Sequence, residues 1–145
     1  MIHLEFSSLI QRPVADVYAF VATPTNIPRW QSNIHEVKPS SSGPVMVGST
    51  FQSAGEIIGR KIEGSMTGTE MDPEKKFGFR GTNGPITVNV HLTFKALGTG
   101  TKCSLTIDAE PGGAFKLAEG LLTNQLKTQM EKNFAALKTL LESGG

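Results

Sequence analysis

Residues 86–109 read "ITVNVHLTFKALGTGTKCSLTIDA", and the alternation in this stretch decides the fold. Ile86, Val88, Val90, Leu92 and Phe94 alternate with Thr87, Asn89, His91 and Thr93. Successive side chains of a strand point to opposite faces, so one face of this segment is dry and the other wet. The "LGTG" at 97–100 closes a tight hairpin that sets Phe94 opposite Cys103. Cys103, Leu105, Ile107 and Ala109 continue the dry face on the second arm. A sheet with one dry face needs an apolar partner laid over it.

Working upstream, the pattern repeats. "TNGP" at 82–85 and "DPEK" at 72–75 read as turns, and Phe77 and Phe79 fall on the same apolar side. Before them, "SAGEIIGRKIEGSMTG" at 53–68 folds back on itself, with Gly59 and Arg60 as a two-residue loop between Ile58 and Lys61. That register sets Ile57 opposite Ile62, Gly55 opposite Gly64, Ser53 opposite Met66 and Phe51 opposite Gly68, all on one face. Gln52 with Thr67 and Glu56 with Glu63 take the wet face. The result is a five-strand antiparallel meander. At the start of the chain, "IHLEFSSLIQ" at 2–11 adds a strand with Ile2, Leu4, Phe6 and Ile10 on one side. Pro13 then suits a first helical turn, Val14, Val17, Tyr18 and Val21 lie at helical spacing, and Pro24 stops that helix. Only a short turn of helix fits before Trp30.

The cover for the dry face is the C-terminal segment. Phe115, Ala118, Leu122, Leu126, Met130, Phe134, Leu137 and Leu141 recur at three- and four-residue steps, predicting one long amphipathic helix to about Glu142. Some 28 helical residues span roughly 42 Å, close to the roughly 40 Å of a twelve-residue strand. The stripe moves around the axis from Leu117, Ala118 and Leu121 to Leu126, Met130 and Phe134, and Gly120 marks the expected bend. Residues 143–145, "SGG", are expected to form a disordered tail.

Composition sets the outer bounds. With 145 residues, the chain is a single domain able to bury its own core. Its formal net charge of +1 gives no general attraction to phosphate backbones, so no nucleic acid is expected as partner. No long apolar run or basic leader is visible, which predicts no membrane insertion and a cytoplasmic protein. The lone cysteine, Cys103, excludes an intramolecular disulfide. Sixteen glycines, about one residue in nine, exceed the usual ~7% and need a cause.

Strand, two short helices, six strands and a long C-terminal helix resemble the helix-grip fold of the polyketide cyclase/dehydrase and START-related lipid-transfer superfamily, which includes the birch-pollen-allergen-like proteins. The resemblance rests on "RPVADVYAFVATPTNIPRW" at 12–30, on "VGSTF" at 47–51 and on the C-terminal helix. It covers nearly the whole chain and carries no catalytic motif. It implies an α+β domain whose curved seven-stranded antiparallel sheet wraps the long helix around a deep apolar cavity. In relatives that cavity holds sterols, lipids, quinones, plant hormones or polyketides. Gly55, Gly64, Gly68 and Gly81 all fall on the covered face, so they either let the strands curve or leave volume for a ligand.

Chemistry-bearing motifs are sparse. His3, His35 and His91 are scattered without metal-ligand spacing, and no metal or other cofactor is expected. "GTGTKCS" at 98–104 lacks the spacing of a phosphate loop, and no GxSxG elbow occurs. His91 shares the wet face with Asn89 and Thr93, and Arg80 and Asp108 also alternate outward. Glu70 falls by register on the inward side with Met66 and Gly68, near the rim, and is the one candidate for an inward acid or base. Glu119 is expected at the mouth, and Asn133, inside the apolar stripe, as a structural hydrogen bonder. The expected ligand-binding wall is Trp30, Phe51, Gly64, Met66, Gly68, Phe77, Phe79, Val90, Leu92, Phe115 and Leu122.

Three functions compete. A carrier of a small hydrophobic molecule (lipid, quinone, polyketide or aromatic) fits a wall with few polar groups. A polyketide cyclase or dehydratase in the same cavity needs a carboxylate with a raised pKa beside it, and Glu70 would have to supply it. A protein-binding module needs an exposed apolar face that the sequence does not offer, while a homodimer stays open as a partner.

Overall fold

In the computed structural model, which describes residues 1–57 and 59–144, strand β1 (Ile2–Ile10) leads into helix α1 (Val14–Val21). A single 3-10 turn at Pro24–Asn26 and the one-turn helix α2 (Ile27–Trp30) come next. Then come β2 (Ile34–Pro39), β3 (Thr50–Ile57), β4 (Arg60–Asp72), β5 (Lys76–Asn83), β6 (Ile86–Leu97) and β7 (Gly100–Glu110). Helices α3 (Ala114–Leu117) and α4 (Glu119–Glu142) complete the chain. The seven strands form one antiparallel sheet in the order β1-β7-β6-β5-β4-β3-β2. This is the α+β helix-grip arrangement that the sequence predicts.

The β6–β7 hairpin forms as read, with Phe94 paired to Cys103 and Leu97 to Gly100. Gly98, at φ 61°, supplies the left-handed residue that a two-residue turn requires. Ile86, Val90, Leu92 and Phe94 of β6 and Cys103, Leu105, Ile107 and Ala109 of β7 are all buried on the concave side. Edge strand β1 joins them through Ile2, paired with Ala109, and Ile10, paired with Thr101.

The β3–β4 register differs from expectation by two residues. Ile57 pairs with Arg60, Ser53 with Gly64 and Phe51 with Met66; Ile58, part of the expected pairing, lies outside the described residues. A slip of two keeps each side chain on its face, so the dry side is unchanged. The observed pairing also sets Gly55 against Ile62 and Gly64 against Ser53, avoiding the gap that two opposed glycines would leave.

Further along β4, the ladder with β5 shifts between Gly68 and Glu70. Such a bulge inserts one unpaired residue, here Thr69, and reverses the facing of the residues beyond it. Met71 therefore packs against the core, and Glu70 turns outward to His91. The inward placement of Glu70 expected from simple alternation is thus corrected.

The C-terminal segment is two helices. The break falls at Ala118, with φ −108° and ψ 27°, two residues before the expected bend at Gly120. Leu122, Met130, Phe134, Leu137 and Leu141 are buried as predicted. Leu117, 94% exposed, and Leu121, 52% exposed, face solvent instead, on either side of the break, while Phe115 of α3 is buried in the core. At the other end, the Ser143 N–H donates to the Thr139 carbonyl, and the Gly144 N–H to that of Leu141. Ser143 and Gly144, expected to trail as a tail, close the helix, while Gly145 lies outside the described residues.

α4 lies closest to β1 and α2. Phe134 makes an edge contact with Phe6 at 6.4 Å and sits 6.2 Å from Trp30. The helix end is tied down where β1 runs into α1. The Arg12 guanidinium donates to the Leu141 carbonyl at 2.6 Å, the Gln11 N–H donates to the Glu142 carboxylate at 2.9 Å, and the Lys138 ammonium donates to the Leu9 carbonyl. Seated on the β1 side of the sheet and on α2, the helix leaves a gap over the middle strands.

Candidate functional site

That gap is a cavity of about 100 Å³. Its floor is the concave face of the sheet, with Phe77 and Phe79 of β5, Val88, Val90 and Leu92 of β6, and Leu105 and Ile107 of β7. Val21, Ile27 and Trp30 close one side, and Leu126 and Met130 of α4 form the roof. Three amide residues, Gln31, Asn33 and Asn83, complete it, and none of the described lining residues is charged.

The cavity is bordered on one side by α4 and the turn after α2. A shallow surface recess there shares Asn33, Ile57 and Leu126 with the cavity and adds Glu56, Gln125 and Gln129. A chain of amides spans it. The Gln129 Nε2–H group donates to the Ser32 hydroxyl at 3.0 Å and to Asn133 Oδ1 at 2.9 Å. Asn133, 1% exposed, donates from Nδ2 to Asn33 Oδ1 at 3.2 Å. The buried amide in the helix stripe is therefore satisfied, and it holds the helix to the turn beside the recess.

Of the residues expected to contact a ligand, the structure brings five together around this cavity: Trp30, Phe77, Phe79, Val90 and Leu92. Phe51 and Met66 belong to a second apolar cluster with Ile27 and Val37, and Phe79 packs against both clusters. Phe115 and Leu122 sit in the main core outside the lining, with the Arg60 guanidinium 5.8 Å from the Phe115 ring centre.

Gly64 and Gly68 do not line the cavity either. A Cβ on Gly64 would stand 2.2 Å from the Thr82 carbonyl oxygen, and one on Gly81 would stand 1.9 Å from that of Ser65. At Gly68 it would meet the Met71 methyl at 2.7 Å and the Met46 carbonyl at 3.2 Å. Gly64 and Gly81 answer to close backbone approach, whereas Gly68 is crowded chiefly by the flexible end of Met71; none of the three lines the cavity. Several lining residues were not singled out from sequence. Val88 and Asn83 carry the inward phase of their strands and were within reach of the alternation argument. Gln31 and Asn33 lie between elements, where no periodicity points inward.

Glu70 is on the convex side. Its carboxylate oxygen lies 2.7 Å from His91 Nδ1, and both side chains are more than a third exposed. On the same side, His3 Nδ1 is 2.6 Å from the Asp108 carboxylate, a contact that raises the His3 pKa above its usual value, with Glu5 helping. Cys103 is buried in the core, and burial pushes its thiol up to about 12, so it is an inert apolar filler. Trp30 is different: its ring lines the cavity, it is 4% exposed, and its Nε1–H has no partner among the described residues.

Across residues 1–142 the sequence matches the profile of a family described as polyketide cyclase/dehydrase and lipid transport. The chain belongs to that family. No curated protein matches the sequence. Among solved structures with a similar fold, a START superfamily protein from Mycobacterium smegmatis superposes with a TM-score of 0.84 at 12% identity, over 99% of both chains. The Zhui aromatase/cyclase from Streptomyces sp. R1128 gives 0.75 at 15% identity, over 98% of this chain and 92% of its own. Ara h 8.0201 gives 0.73 at 16% identity, over 97% of each chain. Identities this low establish a common fold and nothing finer. No helix among the described residues is long and apolar enough to cross a membrane.

The exposed apolar side chains lie apart from the cavity. Val45, Met46 and Val47 flank one end of the β4 ladder, near Gly68, while Leu117 and Leu121 lie towards the other, near Phe115 and Arg60. These two groups are separate, and singly exposed apolar side chains are ordinary on a protein surface.

Proposed function

We propose that the protein binds and carries a small hydrophobic molecule in the cavity between the sheet and α4. The observation that supports this most is the lining itself: apolar side chains with three amides and no charge among the described residues. Such a wall recovers hydrophobic free energy from a neutral apolar guest, and it penalises an ionised one. Family membership points the same way, since lipid transport is part of its description.

A cyclase or dehydratase acting in the same cavity is the competing reading, and the family description includes it. Acid–base chemistry needs a titratable group within reach of the substrate. The described lining residues offer none, and Glu70 points to the opposite side of the sheet. Carriage is therefore the better-supported function. A cytoplasmic setting suits it, because the single cysteine is a free buried thiol and the fold uses no disulfide.

Native mass spectrometry of the purified protein, followed by solvent extraction, tests the proposal. A co-purified neutral apolar compound, displaced by filling the cavity, is the expected result. Glu70→Gln should leave its affinity within a few-fold. Turnover of a polyketide-like substrate that Glu70→Gln abolishes, with binding intact, would replace carriage by catalysis.

A further inference from the structure

The loop between β2 and β3 departs from the pattern of the rest of the surface. Its residues 43–48 read "GPVMVG", and Val45, Met46 and Val47 are between 45% and 57% exposed. Single exposed apolar side chains are ordinary, but three in a row on a folded domain are a fault unless they serve a function. The stretch around them is also bare of charge. From Pro39 to Gly55 there is no Asp, Glu, Lys or Arg. An adjoining recess of about 200 Å³, lined by Pro24, Pro39, Val45 and Phe51 among others, has no charged residue either.

The loop is built to hold these side chains out. Ser49 is a buried polar residue, 7% exposed, and its hydroxyl oxygen accepts the Met46 N–H at 2.9 Å. The Ser49 N–H donates to the Met46 carbonyl at the same distance. The Gly48 N–H donates to the Gly68 carbonyl, and the Gly68 N–H to that of Ser49, so β4 anchors the turn. Gly48, at φ 92°, supplies its left-handed residue. None of these bonds uses the side chains at 45–47, and polar ones would serve a mere connection equally well. Apolar side chains recover free energy only when something apolar covers them.

The nearby charges indicate what the cover is. The β2–β3 loop, the β4–β5 turn and the β6–β7 turn all project from the same end of the sheet, as the antiparallel register requires. Those two turns bring Lys75, Lys76, Lys95 and Lys102 against Asp72 and Glu74. None of the six is in an ion pair among the described residues. Leu97, 45% exposed, stands among the lysines at the β6–β7 turn. An uncharged apolar loop beside an excess of cations matches a surface with an anionic outer layer and an apolar interior. An apolar pocket on a protein would cover the loop and leave the lysines unused.

We infer that the β2–β3 loop docks the protein on an anionic lipid surface, with Val45, Met46 and Val47 entering the headgroup boundary and the four lysines facing the lipid phosphates. Such a protein lies on the bilayer and does not cross it. The inference stands apart from the carriage reading, because the loop shares no residue with the cavity.

A fluorescent label reads the contact directly. Met46→Cys takes an environment-sensitive nitrobenzoxadiazole dye selectively, since the one native thiol, Cys103, is buried in the core. The labelled protein is titrated with vesicles of phosphatidylcholine alone and of phosphatidylcholine mixed with phosphatidylglycerol. Unlabelled wild type and the triple variant Val45→Ser, Met46→Ser, Val47→Ser are compared by co-sedimentation with the same vesicles. The label should brighten and shift to the blue on the mixed vesicles, with binding to phosphatidylcholine alone roughly ten- to thirtyfold weaker. The triple variant should lose at least about tenfold in affinity while melting at the wild-type temperature. No binding to either vesicle overturns the inference, as does binding that leaves the label unshifted and the triple variant unimpaired. Equal binding to the two vesicle types overturns the anionic assignment. A label shift that grows with protein concentration without lipid, with a doubled mass in light scattering, gives the loop to a second copy of the chain and also overturns it. All of these results leave the carriage reading untouched. The labelled single variant decides the matter even if the triple variant fails to fold.

Discussion

Extending two valines of β6 into the cavity sets stability and binding against each other. Val88 and Val90 both line it, on alternate positions of one strand. The double substitution Val88→Ile, Val90→Ile adds one methylene at each site and keeps the β-branch that suits a strand. A fully buried methylene contributes about 0.8 kcal/mol, so two set an upper limit of about 1.6 kcal/mol. Val88 is only half-buried, and about 1 kcal/mol is the realistic gain. In a domain of this size that raises the melting temperature by roughly 2–4 °C. A ligand present at a hundred times its dissociation constant stabilises the wild type by about 2.7 kcal/mol, or roughly 5–11 °C. The double variant should melt higher than wild type alone and lose most of that ligand-induced rise. The assay is a pair of thermal melts for each protein, with and without the compound extracted from the purified protein. If the space is instead already full, the added methylenes overpack the core at a cost of about 1–3 kcal/mol. A lower melting temperature with an undiminished ligand response would refute the assignment of this cavity as the binding site.

Four further outcomes rest on contacts described above. Gly64→Leu should lose at least about 1–3 kcal/mol in chemical denaturation, since its Cβ would stand 2.2 Å from a backbone oxygen; unchanged stability would mean that the strands can part there. Asn133→Leu removes the amide link to Asn33 and Gln129 and should cost about 1–3 kcal/mol while speeding ligand release, measured by stopped flow, whereas an unaltered off-rate would separate the link from the cavity. For pH, the His3 pKa is raised by hydrogen bonds first to Asp108 and then to Glu5, so its contribution is complete below the ordinary histidine value and is lost as pH rises through the higher folded value. His3→Gln should therefore destabilise at pH 5 and be nearly silent at pH 9 in paired melts. The Glu142 pKa is lowered, first by Lys138 and then by the Gln11 N–H, so the contribution of Glu142 is present at neutral pH and disappears as pH falls through its depressed value. Glu142→Gln should show the opposite profile, and a flat one would mean that the helix end is held by Arg12 and Lys138 without it.

Much of the fold was legible because apolar alternation is a property of single strands. The hairpin at 86–109 and the pairing of Phe94 with Cys103 needed only a period of two and a glycine turn. The β3–β4 register was harder, because a slip of two residues leaves every face unchanged and hydrophobicity cannot distinguish the two pairings. At Glu70 the alternation argument failed for a local reason. The bulge at Thr69 leaves no trace in "MTGTEMD", where small and polar residues tolerate either facing. The glycines were legible as a signal but not in meaning. Carbonyl approaches such as Thr82 to Gly64 depend on strand coiling, which is a property of the assembled sheet. Trp30 was visible as a landmark, whereas its unpartnered N–H emerges only when every neighbouring acceptor has a position.

The pairing of the first strand with the last also sets an order of assembly. β1 must wait for β7, since Ile2 pairs with Ala109, and α4, which covers the β1 side of the sheet, emerges later still. The β3 to β7 hairpins are local and can zip as they leave the ribosome, while closure of the edge and of the roof depends on contacts remote in sequence, the slowest kind to form. Throughout synthesis the concave face is therefore a shallow open trough with Phe77, Phe79 and Val90 in water. A chain halted before residue 119 would present that trough to chaperones, or to an apolar passenger, with no entrance to pass.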